Sequence, residues 1–355
     1  MTVGALLPSN WLDRPLAEIA QLAPIQPLTW ALAARHGVEM WIKREDLLDP
    51  WLGGNKLYKL YHHLQAARQQ NAQCLYTCGG AYSNHVYAFG RAVQQLGCKG
   101  VAVVRGDLGM PLSPTLRDVQ AMGVELHIVT REVYRQRDEP NFWAPILQQF
   151  GPGYCIPEGG SGVLGALGMR DFAFSLHQCL WPSAGGQTAS RRLPVDILAL
   201  PCGTGASLAG VVAANVGPQV LGVCALKLGN QVGAYRASVS ALVTAQAATQ
   251  TQDWRLETEF HAGGYARYPP YLASFVADFE AETQIRLDPV YGAKLFYALA
   301  HNIQHQWPKG TRVLVIHTGG LQGKRGFPLA ESASPASRGA ADHAASRSRH
   351  FLVEP

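Results

Sequence analysis

Lys56 stands in Gly53-Gly54-Asn55-Lys56-Leu57, directly before an amphipathic run. An amine there can bond an aldehyde and later accept a carbon-bound proton. Two further glycine-rich segments lie downstream, each between an apolar strand-like run and a helix-like run. They are Gly79-Gly80-Ala81-Tyr82-Ser83-Asn84-His85 and Pro201-Cys202-Gly203-Thr204-Gly205-Ala206-Ser207. Small residues let several backbone N–H groups converge on one anion, and a helix N-terminus adds its free donors. An amine with two anion-gripping loops is the equipment a pyridoxal phosphate enzyme needs: an aldehyde to bond, a phosphate to hold and a carboxylate to seat.

Each residue has a plainer alternative. Lys56 near a helix start is disfavoured by the helix dipole, which lowers its pKa and frees the amine; an ordinary surface lysine fits the same position. Lys59, three residues on, is its rival. Gly203, Thr204, Gly205, Ala206 and Ser207 form the candidate phosphate cradle, with hydroxyl donors from Thr204 and Ser207. A bare packing turn fits the two glycines equally. Ser83, Asn84 and His85 open a helix after a strand and suit a carboxylate or a ring oxygen. For His85 a capping role is the alternative, and for Tyr291, after Asp288-Pro289-Val290, simple aromatic packing. Tyr265, in a glycine-rich aromatic segment, is a substrate-side candidate or a loop residue packed at a domain edge.

The elements that position these residues alternate. Strand-like runs are expected at 37–43, 73–77, 101–104, 124–129, 195–200, 220–226 and 312–317. Helix-like runs fall between them, at 55–70, 83–96, 114–122, 207–215 and 291–303, with another from 131 and with Asn55 as a cap of the first. Strand, glycine turn, helix, strand predicts an α/β fold with parallel sheets covered on both faces.

In order and spacing the chain resembles the 1-aminocyclopropane-1-carboxylate deaminase and D-cysteine desulfhydrase family of pyridoxal-phosphate-dependent enzymes. The resemblance rests on Trp41-Ile42-Lys43-Arg44-Glu45-Asp46, the Lys56 motif, Ser83-Asn84-His85, Pro157-Glu158-Gly159-Gly160-Ser161 and Gly165-Ala166-Leu167-Gly168. It continues through Gly203-Thr204-Gly205, Asp288-Pro289-Val290-Tyr291 and His317-Thr318-Gly319-Gly320. It implies fold type II, the tryptophan synthase beta-like fold. A larger cofactor domain would take residues 1–49 and 166–330, and a smaller inserted domain 50–165. It also implies a homodimer. Lys56, Ser83 and Tyr291 then become catalytic. Lys56, Asn84, residues 203–207 and Thr318 face the cofactor, and Ser83, Asn84, His85 and Tyr265 face the substrate. Two positions depart from the deaminase pattern: Gly292 where deaminases carry glutamate, and Thr318 where they carry leucine. Both favour β-elimination from a small amino acid such as D-cysteine, giving pyruvate, ammonia and sulfide. Ring opening of the cyclopropane amino acid, racemisation and elimination from another β-substituted amino acid are the alternatives.

Composition narrows the class. With 355 residues, two domains are expected. The formal charge of +5 comes without a basic block, which argues against nucleic acid. Seven cysteines sit in or beside apolar runs without zinc spacing, so free thiols and no metal are expected. No secretory leader and no run of membrane-spanning length stand out, which predicts a cytoplasmic enzyme without a membrane partner. Residues 182–192 read as a linker and 331–355 as a disordered tail, by composition.

Overall fold

The computed structural model describes residues 7–107, 109–139, 141–180, 195–246 and 253–327. The expected linker and C-terminal tail lie outside these residues. Ten strands are described: β1 (Ile25–Pro27), β2 (Glu39–Arg44), β3 (Cys74–Gly80), β4 (Lys99–Arg105), β5 (Val124–Val129), β6 (Tyr154–Cys155), β7 (Ile197–Cys202), β8 (Gln219–Cys224), β9 (Trp254–Glu257) and β10 (Arg312–His317). They form a six-stranded sheet in the order β1-β2-β10-β7-β8-β9 and a four-stranded sheet in the order β5-β4-β3-β6. All described pairings are parallel except β1 with β2. The chain enters the large sheet, leaves to build the whole small sheet, then returns.

Burial explains the parallel order. Every residue of β7 is buried, and in β3 only Gly80 is not. Such unbroken apolar runs suit strands covered on both faces. One core cluster joins the two sheets through the helices between them; it holds Leu57, Tyr58, Leu200, Val211, Phe172 and Met169. A second, with Trp30, Phe279 and Phe296, covers the outer face of the large sheet. A third, with Tyr76, Val103 and Phe142, covers that of the small one.

The helix Gly162–Leu180 has no counterpart among the expected elements. It is apolar on several sides and broken by glycines, so its sequence shows no single stripe. It packs between the helices Asn55–Gln69 and Ala206–Ala214. Gly168 makes this approach possible, because a Cβ there would lie 1.8 Å from the carbonyl oxygen of Tyr58.

Candidate active site

The strand ends of both sheets face one cavity of about 610 Å³. It opens at the carboxyl ends of β3, β4, β7 and β10, where open α/β sheets bind ligands. Lys56, Ser83, Asn84, His85, Gly203, Thr204, Gly205, Ser207, Tyr265, Tyr291 and Thr318 all line it. Ala206 is fully buried and begins the helix behind the loop.

Lys56 is placed by the first turn of the helix Asn55–Gln69. Gly54 precedes it with φ of 77°, and a Cβ there would lie 2.0 Å from the Thr318 carbonyl oxygen. Only glycine permits that contact and that backbone region together. The buried Glu45 pins the helix: it accepts from the Tyr58 hydroxyl at 2.6 Å and pairs with Lys43 at 3.2 Å. Asn55 is not the cap. Gly54 holds that position, and the Asn55 amide instead donates to Ser207 Oγ at 3.0 Å, tying the helix to the opposite loop.

Burial lowers the Lys56 amine to about 8, and the Asp288 carboxylate pulls it the other way. The expected helix-dipole cause is therefore replaced by desolvation. Lys59 is buried and donates to Thr204 Oγ1 at 3.2 Å. Burial and the Lys56 charge push it well below the usual lysine range. The two lysines are thus separated by environment, one near the open cavity and one held against the loop after β7.

That loop turns on Gly205, in the left-handed region, and feeds the helix Ala206–Ala214. The Tyr235 hydroxyl braces it by donating to the Gly203 carbonyl at 2.9 Å. The helix N-terminus, the hydroxyls of Thr204 and Ser207 and the Lys59 amine converge there. This donor set fits a phosphate.

The loop after β3 is built differently. Ser83 caps the helix Asn84–Leu96, its Oγ accepting from Val86 N at 3.2 Å. Asn84 is held from the other sheet: its Oδ1 accepts from Gln322 Nε2 at 2.6 Å, and Gln322 Oε1 accepts from Thr115 Oγ1 at 2.6 Å. His85 does not cap. The Thr77 hydroxyl donates to the Ile156 carbonyl at 3.0 Å and lies 2.7 Å from His85 Nε2. That geometry assigns the proton to Nε2 and leaves Nδ1, which has no hydrogen-bond partner among the described residues, as an acceptor. Burial and the nearby lysines keep the ring neutral.

Tyr291 lies against the phosphate-type loop: a Cβ on Gly203 would meet its hydroxyl at 3.1 Å. The Asp288 carboxylate accepts from the backbone N–H groups of Val290, Tyr291 and Gly292 at 3.0, 2.8 and 2.7 Å. Burial, with Tyr265 and Asp288 nearby, raises the Tyr291 hydroxyl well above the ordinary tyrosine value. Tyr265 faces it edge-on at 6.3 Å between ring centroids. The buried Lys294 fixes that segment by donating to the carbonyls of Ala225 and Gly264 at 3.1 and 2.7 Å.

The family model described as "Pyridoxal-phosphate dependent enzyme" matches residues 21–319. This chain belongs to the pyridoxal-phosphate dependent enzymes. Its two sheets have the fold type II architecture. It is 29% identical over 317 residues to the mitochondrial bifunctional D-cysteine desulfhydrase/1-aminocyclopropane-1-carboxylate deaminase of Arabidopsis thaliana, covering 81% of this chain and 74% of that one. It is 29% identical over 293 residues to D-cysteine desulfhydrase of Salmonella newport, covering 80% and 87%. The crystal structure of an ACC deaminase homologue superimposes with a TM-score of 0.71 at 25% identity, covering 85% of this chain and 90% of that one. Together these matches support a pyridoxal-phosphate-dependent lyase acting on a small amino acid.

This pyridoxal-phosphate enzyme also brings residues to the cavity that the sequence reading gave no role. Tyr235, Arg105, Tyr134, Arg137 and Gln322 line it, as does Glu158, noted only as part of a motif. Arg105 had a weak signal, a cation ending the apolar run Val101–Val104. The others come from helices and turns whose position no local pattern gives. Among the described residues, no three His, Cys, Asp or Glu side chains gather to hold a metal ion. No described helix is long and apolar enough to cross a membrane.

Proposed function

We propose that this enzyme is a β-eliminating lyase of the D-cysteine desulfhydrase kind, releasing pyruvate, ammonia and sulfide. The supporting observation is the state of the carboxylates around the cavity, each of which already has a partner. Asp46 pairs with Arg44 at 2.8 Å; Asp49 accepts from the backbone of Trp51 and Leu52 at 2.7 Å through Oδ1, while its buried Oδ2 has no hydrogen-bond partner among the described residues. Glu158 accepts from Tyr134 and Arg137 at 2.7 and 2.5 Å. Asp288 spends both oxygens on backbone N–H groups. A Cβ on Gly292 would lie 2.9 Å from Asp288 Oδ2, so a glutamate there collides with that cap. Thr318 offers a hydroxyl, which hydrogen-bonds a pyridine nitrogen without fixing a proton on it. Departure of a thiolate tolerates the weaker electron withdrawal; opening a carbon ring does not.

Bound pyridoxal phosphate supplies an electron sink for the pair left at the substrate α-carbon. Lys56 would attach it covalently, and its amine, lowered to about 8, would take the α-proton. Thr204, Ser207, Lys59 and the backbone of Gly203–Ala206 would hold the phosphate. Asn84 and Thr318, which line the same cavity, would hold the ring. Ser83, Asn84 and the free N–H groups at the start of their helix seat the substrate carboxylate, beside His85. Tyr291, with Tyr265 behind it, holds a proton at the departing group.

The test is one preparation assayed on D-cysteine and on 1-aminocyclopropane-1-carboxylate. Sulfide and pyruvate from the first, with little product from the second, is expected. Efficient ring opening without sulfide release overturns the reading.

A further inference from the structure

The short helical turn Leu321–Gly326 follows β10, leaves the large sheet and lands on helices that belong to the small one. Gln322 bonds to Thr115 and Asn84 there, and Arg325 pairs with Asp118 at 2.7 Å. The Arg325 guanidinium also lies over the Tyr87 ring, 5.6 Å from its centroid. Thr115 and Asp118 sit on the helix Pro114–Ala121, and Asn84 and Tyr87 on the helix Asn84–Leu96. Lys324 anchors the turn on its own side by pairing with Glu280. Of these partners only Asn84 is also a residue assigned to the cofactor ring.

The bonds along this turn run one way. A guanidinium can only donate, and Arg325 gives one bond to the Gln322 backbone carbonyl at 3.3 Å and one to Gln322 Oε1 at 3.4 Å. Oε1 takes a further bond from the Thr115 hydroxyl at 2.6 Å. Turned over, Gln322 would set its amide N–H groups against the guanidinium, donor to donor. Its oxygen end is thereby fixed, so Nε2 faces Asn84 and donates to Oδ1 at 2.6 Å. The relay ends on Asn84 Nδ2, which donates to no group among the described residues. Gly320 leaves room for it at the cavity wall, since a Cβ there would collide with Nδ2.

We propose that Gln322 is a positioning residue: braced by Arg325 and Thr115, it holds the Asn84 amide with its N–H groups toward the cofactor ring. This rests on the reading that Asn84 holds the ring, and adds what sets the sense of the amide. An amide has a donor end and an acceptor end of nearly the same shape, so packing alone does not choose between them. The chooser is a residue more than two hundred positions away in the chain, reached across the two sheets. A donor stabilises the ionised phenol oxygen of pyridoxal phosphate, whereas an acceptor favours its protonated form. The visible absorption of the bound cofactor belongs to the ionised form, so the sense of the amide can be read as colour.

The parent holoenzyme is compared with Gln322→Glu and Gln322→Leu by absorption spectrum and by cofactor dissociation constant. In Gln322→Glu a carboxylate stands beside Arg325, which keeps it ionised and the turn in place, and Asn84 is offered only acceptors. The Asn84 amide should turn over. The visible band should lose intensity to the near ultraviolet, and cofactor affinity should fall by about tenfold or more. Gln322→Leu frees the amide without reversing it and should lose less, although it removes more bonds. A purely structural role predicts the opposite order. Equal losses, that opposite order, or a parent-like spectrum and affinity in Gln322→Glu each overturn the proposal. If Gln322→Glu fails to fold, Arg325→Met carries the test from a side chain that is 38% exposed. The same spectral shift, smaller in size, is expected there, and no shift overturns the proposal. Asn84→Ala separates the two readings. An unchanged spectrum and affinity removes Asn84 from the ring, and the proposal with it; a loss there with none in Gln322→Glu keeps Asn84 on the ring and rejects the role of Gln322.

Discussion

The two walls of the cavity are made of different materials. On the large-sheet side, the loop after β7 grips through backbone N–H groups and short hydroxyls, on a turn that glycine makes possible. On the small-sheet side, long side chains do the work: Arg105, Tyr134, Arg137 and Glu158 brace one another over the ends of β4 and β6. A backbone cradle is fixed by chain direction and recognises any phosphate. A wall of side chains is set by residue identity and can be retuned by one substitution. The phosphate-type cradle and the braced side chains thus lie on different sheets, with Lys56 between them.

The largest effect should come from Lys56, on which both walls depend. Lys56→Met should lower turnover by at least roughly 10²–10⁴-fold. After borohydride reduction, mass spectrometry of the parent protein should find the cofactor on Lys56; a label on Lys59 would reassign the chemistry. The same substitution should stabilise the cofactor-free protein at pH 7 by about 1–2 kcal/mol, a figure discounted for partial exposure. The sign follows from an amine lowered to about 8 in the fold against 10.5 outside it. The unfolded chain binds the extra proton between those values, so the cost of Lys56 is full below pH 8 and fades toward 10.5. Melting curves across that window should show the variant's advantage closing as pH rises.

Thr204→Val sharpens the contrast from the large-sheet side. It removes a hydroxyl from the cradle and the partner of Lys59, at a cost of about 1.5–3 kcal/mol in cofactor affinity. Fluorescence titration with pyridoxal phosphate should show that loss exceeding any change in kcat at saturating cofactor. The reverse pattern would put the phosphate elsewhere.

Glu158→Gln probes the small-sheet side and should do least. The Tyr134 and Arg137 contacts weaken, lowering stability by about 1 kcal/mol. Cofactor affinity should move far less than in Thr204→Val. A comparable loss of cofactor would erase the distinction between the walls.

Local sequence determined much of this protein. Apolar runs broken by glycine turns and followed by helical spacing are short-range signals, so β3, β7 and the helices Asn55–Gln69 and Asn84–Leu96 were legible. So was the candidate site along the chain, since a glycine loop between strand and helix announces its own geometry. The helix Gly162–Leu180 was not legible, because contact on several sides leaves no polar face to give a period. Only the tertiary structure decided the rest. It lowered Lys56 by burial rather than by the helix dipole, and turned Asn55 from a cap into a tether to Ser207. It aimed His85 inward at Thr77, set Gln322 on Asn84 across the sheets, and brought the guanidiniums of Arg105 and Arg137 to the Tyr134 ring. Each depends on residues of different elements meeting with a particular burial and angle, and no local pattern encodes that.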